Sequence, residues 1–244
     1  MTYCLALNLT GGLVFASDSR TNAGVDYVTT YSKMHVFTPA EDRVFVILSA
    51  GNLATTHEVM NRIQRDLDVE DAPESLRTVQ YLFEAAQYLG RVSRSVQSDH
   101  AAALQQSGVS GDATLIIGGQ IRGQPHGIFL VYAQGNYIAA SNETPYLQIG
   151  ESKYGKPALD RIIDPHLSLE DGARLALVSL DATMRSNVSV GPPLELALYR
   201  KDSLEQPRKL SLKLASPFYA SLQKRWHEGI RKSFKRLPRF DWEH

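Results

Sequence analysis

Residues 1–24 read MTYCLALNLTGGLVFASDSRTNAG, and this stretch decides the fold. Residues 3–9 (YCLALNL) and 13–17 (LVFAS) are apolar runs of strand length, and Thr10-Gly11-Gly12 between them is turn chemistry. The spacing predicts a β-hairpin. A three-residue loop sets Leu9 opposite Leu13 and pairs Asp18 with Cys4. In that register Tyr3, Leu5, Leu7, Leu9, Leu13 and Phe15 share one bulky face. Thr2, Cys4, Ala6, Asn8, Val14, Ala16 and Asp18 share a face of smaller groups. Both faces are too apolar for solvent, which points to a sheet covered on both sides in a layered fold.

Working outward, 34–37 and 43–50 (RVFVILSA) are further strands, and Ser49-Ala50-Gly51-Asn52 breaks the pattern before a helix over 53–68. A longer helix follows, with a stripe of Val79, Leu82, Ala86, Leu89 and Val96. Strands return at 113–119, 127–133 and 136–140. Helices are expected over 152–163 and 168–184, the second opening at Ser168 with Glu170 and Asp171 near its positive end. Strands at 194–200 and 208–214 precede a basic amphipathic helix from Pro217 to Lys235. Segregated blocks of strands and helices argue for an α+β class, most simply two sheets covered by helices. At about 150 residues per domain, 244 residues suit one large domain. Residues 1–214 form that domain, and 215–244 are a helical appendage that either packs on it or contacts another subunit.

Lys+Arg and Asp+Glu both number 26, and the chain is 43% hydrophobic and 21% charged, which excludes disordered and collagen-like classes. The lone cysteine, Cys4, excludes an internal disulfide and a thiolate metal cluster. A reducing, cytoplasmic setting is expected. No apolar run reaches the roughly 18 residues of a membrane span, and the N-terminus lacks the charged start of a signal peptide. The seven histidines show no ligand spacing, so no metal is expected. Gly118, Gly119, Gly123 and Gly127 carry no phosphate-loop signature, so no cofactor is expected either.

The zero net charge hides a division. Residues 195–244 carry 12 Lys/Arg against 6 Asp/Glu, a net +6, which leaves −6 on residues 1–194. Phe218, Leu222, Trp226, Ile230 and Phe234 recur every fourth residue along the basic tail. That stripe favours a contact between copies of the chain over nucleic-acid binding, since opposite charges then meet.

Thr2 raises a chemical possibility. Removal of Met1 leaves an α-amine beside its own hydroxyl, a nucleophile with a built-in base whose pKa lies near 8. Asp18 lies on the same small-residue face, and an acid buried there needs a cationic partner. Lys33, the only lysine before Lys153, stands just ahead of the next strand. An ammonium there keeps Asp18 ionised and eases deprotonation of the Thr2 hydroxyl.

With these residues in view, a resemblance is plain. Phe15-Ala16-Ser17-Asp18-Ser19-Arg20-Thr21-Asn22-Ala23-Gly24 resembles the Asp-Ser-Arg segment of proteasome β-type subunits. Ser49-Ala50-Gly51 resembles that family's Ala-Gly motif. Ala113 to Gly119 with Gly123 to Tyr132 resembles its Gly-rich strand pair. Arg185-Ser186-Asn187-Val188-Ser189-Val190-Gly191 resembles its Arg-Asp-x-x-Ser-Gly-Gly segment. The motifs run in order over residues 2–200, and the whole most resembles a bacterial homologue of these subunits.

The resemblance implies a four-layer αββα sandwich, the N-terminal nucleophile hydrolase fold, with an appended C-terminal helix. It implies a threonine-type endopeptidase acting on peptide or unfolded protein, without cofactor, self-assembled as a ring or ring-like homo-oligomer. Thr2 would be the nucleophile, with Asp18, Lys33, Ser189, Ser186 and Ser152 around it. The Gly51 N–H would face the oxyanion, and Asn22, Ser49 and Leu53 would flank a substrate held as an added strand. Ser186 stands where the family usually has aspartate, which weakens the charge network around the amine. Glu151 or Ser152 stands where a serine is expected. Pro192-Pro193 follows Gly191 where the family usually continues without proline. With no propeptide apparent, exposure of Thr2 falls to removal of Met1. The alternatives are a catalytically weak structural or peptide-binding subunit, and an N-terminal nucleophile amidase on small substrates.

Overall fold

The computed structural model describes residues 1–22 and 28–243, and the side chains of Asn22 and Val28 lie outside the description. The elements run β1 (Tyr3–Leu9), β2 (Gly12–Asp18), β3 (Arg20–Asn22), β4 (Val28–Thr30), β5 (Met34–Ala40), β6 (Arg43–Gly51), α1 (Leu53–Asp68), α2 (Leu82–Ser107), β7 (Ala113–Ile121) and β8 (Gly127–Val131). They continue β9 (Tyr137–Ala139), β10 (Tyr146–Gly150), α3 (Lys156–Ile162), α4 (Leu169–Ser186), β11 (Leu194–Arg200), β12 (Arg208–Leu212) and α5 (Pro217–Phe234). Two five-stranded sheets form, ordered β10-β1-β2-β11-β12 and β5-β6-β7-β8-β9, and both are antiparallel throughout.

Three apolar layers hold the four-layer αββα sandwich together. Cys4, Ala6, Leu13 and Phe15 of the first sheet meet Val44, Val46, Leu48 and Ile116 of the second between the sheets. Tyr3, Leu5, Leu7 and Leu9 point the other way, onto Ala173, Ala176, Leu177 and Leu180 of α4. Phe45, Ile47, Leu115 and Ile117 pack under α1 and α2. The period-2 alternation of β1 thus feeds two separate cores, and both faces are buried. Asn52 starts α1 by accepting hydrogen bonds from the Ala54 and Thr55 N–H groups, and Ser168 starts α4 by accepting from Asp171 N–H.

Two expectations are corrected. The hairpin loop has two residues, because Leu9 pairs with Gly12 and Cys4 with Ser17. A one-residue slip turns every side chain of β2 over. Leu13 and Phe15 therefore join Cys4 and Ala6 between the sheets, while Val14 and Ala16 join the α4 side. The residue across from Asp18 becomes Tyr3, whose N–H donates to Asp18 Oδ1 at 3.0 Å. Strand β10, which the hydropathy pattern missed, forms the edge next to β1.

The C-terminal helix divides the expected stripe between the core and solvent. It buries Tyr219 on α4, while Phe218, Ile230 and Phe234 remain 54%, 47% and 72% exposed. A spacing of four residues advances about 40° per step beyond a full turn, so the stripe winds around the helix and cannot stay on one face. Asp181 of α4 anchors α5: it takes hydrogen bonds from the Tyr219 hydroxyl (3.4 Å) and the Gln223 amide, and a contact from His227 (3.8 Å).

Candidate active site

A cavity of 430 Å³ opens where the first sheet meets the second. Its walls include Thr2, Arg20, Thr21, Tyr31, Lys33, His35, Ser49, Gly51, Leu53, His57 and Glu151. A larger cleft of 730 Å³ between α4, β11, β12 and the start of α5 holds none of the site residues expected from the sequence, and leucines dominate its floor.

Asp18 ends β2 and is fully buried. Its Oδ1 accepts from the Lys33 ammonium at 2.6 Å and from Tyr3 N–H at 3.0 Å. Its Oδ2 accepts from Gly191 N–H at 3.1 Å. Three donors satisfy the carboxylate, so the buried charge is compensated on every side. Lys33 also donates to the Arg20 carbonyl at 2.7 Å, and its own carbonyl accepts from Ser49 N–H at 3.0 Å. The ammonium is thus held between β2 and β3, and the Lys33 backbone is tied to β6.

Burial pushes the Cys4 thiol well above its usual range, which makes it an inert neighbour. Burial, followed by the nearby Lys209 and His57, lowers His35 to about 4, so its imidazole is neutral at pH 7.

Gly51 closes β6 at φ +117°, and a Cβ there would sit 2.2 Å from the Asp112 carbonyl oxygen. Only glycine fits that turn. Ser49 N–H points toward β5, and two residues on, the Gly51 N–H aims to the same side. Strand β5 starts opposite Leu48, so Gly51 lies beyond it, and its N–H faces the cavity that Gly51 lines. Ser49 and Leu53 line the same wall. Thr21 Oγ1 is buried there without a partner among the described residues.

On the opposite wall Thr2 continues the β1–β10 ladder. Tyr3 pairs with Gly150, and Glu151 N–H donates to the Thr2 carbonyl at 2.7 Å. Gly150, at φ +81°, admits that approach: a Cβ on it would meet the Thr2 carbonyl oxygen at 2.0 Å. Met1, ahead of Thr2, is 66% exposed at the rim.

The structure therefore gathers Thr2, Lys33, Gly51, Ser49 and Leu53 around one cavity, with Asp18 behind Lys33. Ser189 stands further back, its N–H donating to Asn187 Oδ1 at 2.9 Å. Ser152 and Ser186 do not line the cavity; Ser186 is the exposed last residue of α4. Asn22 ends β3 and its side chain lies outside the described residues.

Sequence reasoning left Glu151 and Ser152 both open and passed over Asn187. Glu151, rather than Ser152, lines the cavity, and Asn187, rather than Ser186, reaches it by donating to Glu151 Oε2 at 3.0 Å. Each lies one position from the expected serine, and the signal for both was the phase of the preceding element. Among the described residues no group of His, Cys, Asp and Glu is arranged to hold a metal ion, and no helix is long and apolar enough to cross a membrane.

No protein-family model matches the chain, and no curated protein sequence does. Solved structures do. Anbu (ancestral β-subunit) from Yersinia bercovieri is 40% identical over 100% of both chains, with a TM-score of 0.91. The helical assembly of the Anbu complex from Pseudomonas aeruginosa is 39% identical over 100% of both, with a TM-score of 0.93. Anbu from Hyphomicrobium sp. strain MC1 is 38% identical over 98% of this chain and 100% of that one, at 0.90. Identity near 40% along the full length, on the same proteasome-type sandwich, decides the relationship: the chain belongs to the Anbu family of proteasome-like β subunits.

Proposed function

We propose that this chain is a self-assembling threonine-type endopeptidase of the cytoplasm whose nucleophile is Thr2, freed by removal of Met1. The observation that carries this reading is the meeting of Thr2, the Asp18–Lys33 pair and the Gly51 N–H at one cavity. The Thr2 hydroxyl attacks a peptide carbonyl and passes its proton to the Thr2 α-amine, whose pKa near 8 suits that exchange at neutral pH. Lys33, paired with Asp18 at 2.6 Å, stabilises the alkoxide as it forms. The Gly51 N–H takes the oxyanion of the tetrahedral adduct. The α-ammonium gives its proton to the departing amine as the C–N bond breaks, leaving an ester on Thr2. Water, deprotonated by the same amine, then attacks the ester carbonyl and restores the hydroxyl. The substrate lies extended between Thr21 of β3 and the end of β6, where strand addition supplies backbone hydrogen bonds. Asn22 and Ser189 complete the surroundings of the bound strand and the amine.

Intact-mass analysis should show loss of Met1, and Thr2→Ala should abolish turnover of peptide or ester substrates. Turnover unchanged by that substitution sinks the assignment. Cleavage of small amides with no cleavage of a broad peptide library would transfer it to an amidase.

Self-association is the second element of this reading. The Pseudomonas aeruginosa relative is a helical assembly. Here the exposed Phe218, Ile230 and Phe234 sit on the +6 segment, opposite a −6 body, so copies of one chain are complementary. Truncation after Pro217 should shift the protein to smaller species in light scattering; an unchanged mass per particle, beyond the deleted segment, would refute the contact.

A further inference from the structure

The β1–β10 ladder has a chemical corollary at its last rung, and it rests on the assignment of Thr2 as nucleophile. Tyr3 is paired with Gly150, so the next antiparallel rung puts Thr2 opposite Glu151, joined by the 2.7 Å bond from Glu151 N–H to the Thr2 carbonyl. Directly opposite residues send their side chains to the same face, with Cβ atoms about 5 Å apart. Both residues line the cavity. Glu151 is nearly buried, and its carboxylate is oriented: Oε2 accepts from the Asn187 amide at 3.0 Å, and Oε1 lies 3.5 Å from the Lys153 ammonium. Asn187 is fixed in turn, since its Oδ1 takes the Ser189 N–H and its own N–H caps α4.

We propose that Glu151, steered by Asn187, is the positioning acid that holds the α-ammonium of processed Thr2 and so turns it toward the Thr2 hydroxyl. Thr2 and Glu151 line the same cavity, so the carboxylate lies within reach of the amine that Met1 removal creates and would supply the negative charge that Ser186 does not. The other charged or titratable groups around Thr2 come from every neighbouring element. They are Asp18 of β2 with Lys33, Arg20 of β3, the Tyr31 phenol after β4, His35 of β5, His57 of α1, and Lys153 after β10. Asp18 and Lys33 offset each other, Arg20 is engaged with the Val188 carbonyl at 2.6 Å, and Lys153 is largely exposed and screened. Glu151 is therefore the group whose removal changes the field at the amine most. A carboxylate beside an ammonium favours the charged form and raises its pKa.

The test titrates the amine itself, independently of turnover. Processed wild-type protein is reductively methylated with formaldehyde from neutral to alkaline pH, and mass mapping reads the fraction modified at Thr2. Glu151→Gln should move the midpoint about one pH unit lower, and the acidic limb of kcat/KM should move with it. Glu151→Asp, which keeps the charge, should return the midpoint most of the way, which a merely structural role does not explain. A midpoint that stays in place in folded Glu151→Gln overturns this role, even if Thr2→Ala abolishes turnover. A midpoint that moves while Thr2→Ala leaves turnover intact upholds the contact and sinks the endopeptidase assignment instead.

Discussion

Two buried aspartates are satisfied in different ways. Asp18 takes one ammonium and two backbone N–H groups, from Tyr3 and Gly191. Asp181 takes side chains alone: Arg185 at 3.1 Å, the Gln223 amide, the Tyr219 hydroxyl and His227. Backbone donors belong to strands and turns that cannot leave without unfolding the sheet, so Asp18 is held as rigidly as the sandwich. Three of the four donors to Asp181 come from α5, so that carboxylate is a latch on a removable helix. The contrast assigns precision to the cavity and detachability to the C-terminal segment.

The largest blow to this comparison falls on Asp18. Asp18→Ala orphans a Lys33 that is only 5% exposed, and should cost about 3–5 kcal/mol in denaturant unfolding together with turnover. A loss of only about 1–2 kcal/mol, the range expected for Asp181→Ala, would mean that the two aspartates are held alike.

Next comes pH. Folded His35 binds its proton near pH 4, whereas the unfolded chain does so near 6.5. Between those values the unfolded state carries more protons, so stability falls as pH drops through that window and levels off below it. The depressed value amounts to about 3 kcal/mol at most. His35→Gln should flatten the curve, and an unchanged slope would place the acid sensitivity elsewhere.

Asp181→Ala should cost less, about 1–2 kcal/mol, because water reaches Arg185 and His227 once the carboxylate is gone. Limited proteolysis between Lys213 and Pro217 should quicken while the cavity and its chemistry persist. The smallest effect belongs to Arg185→Gln: the guanidinium side chain is 55% exposed, so the loss should stay under about 1 kcal/mol and shrink with salt.

Much of this was legible in the residues alone. The apolar runs of residues 3–17 and the segregated strand and helix blocks pointed to two helix-covered sheets, and the lone early lysine to the partner of Asp18; the four-layer sandwich and the Gly51 wall came from the resemblance to proteasome β-type subunits. What escaped was register. Thr10-Gly11-Gly12 is compatible with a loop of two or three residues, and only the pairing of β2 with β11 and α4 chooses between them. Strand β10 contains Gln148 and follows Pro145, so its local signal is weak; its place is specified by β1. Helix α4 runs to Ser186, two residues beyond the expected 184. Asn187 thereby becomes its cap, and the amide meets Glu151 where a serine was sought. On α5 the every-fourth-residue spacing turns about 40° per step, so Leu222 packs on the core while Phe218, Ile230 and Phe234 stay exposed.

The bond from Glu151 to the Thr2 carbonyl has a consequence for the proposed exposure of Thr2. A freshly cut chain end ordinarily frays, and ordering it around a substrate costs entropy at each turnover. Here the peptide just inside the cut is already a rung of a sheet, closed by a neighbour whose glycine admits the approach. Excision of one exposed methionine would therefore uncover a terminus that is born immobile, and maturation would require chemistry without any refolding.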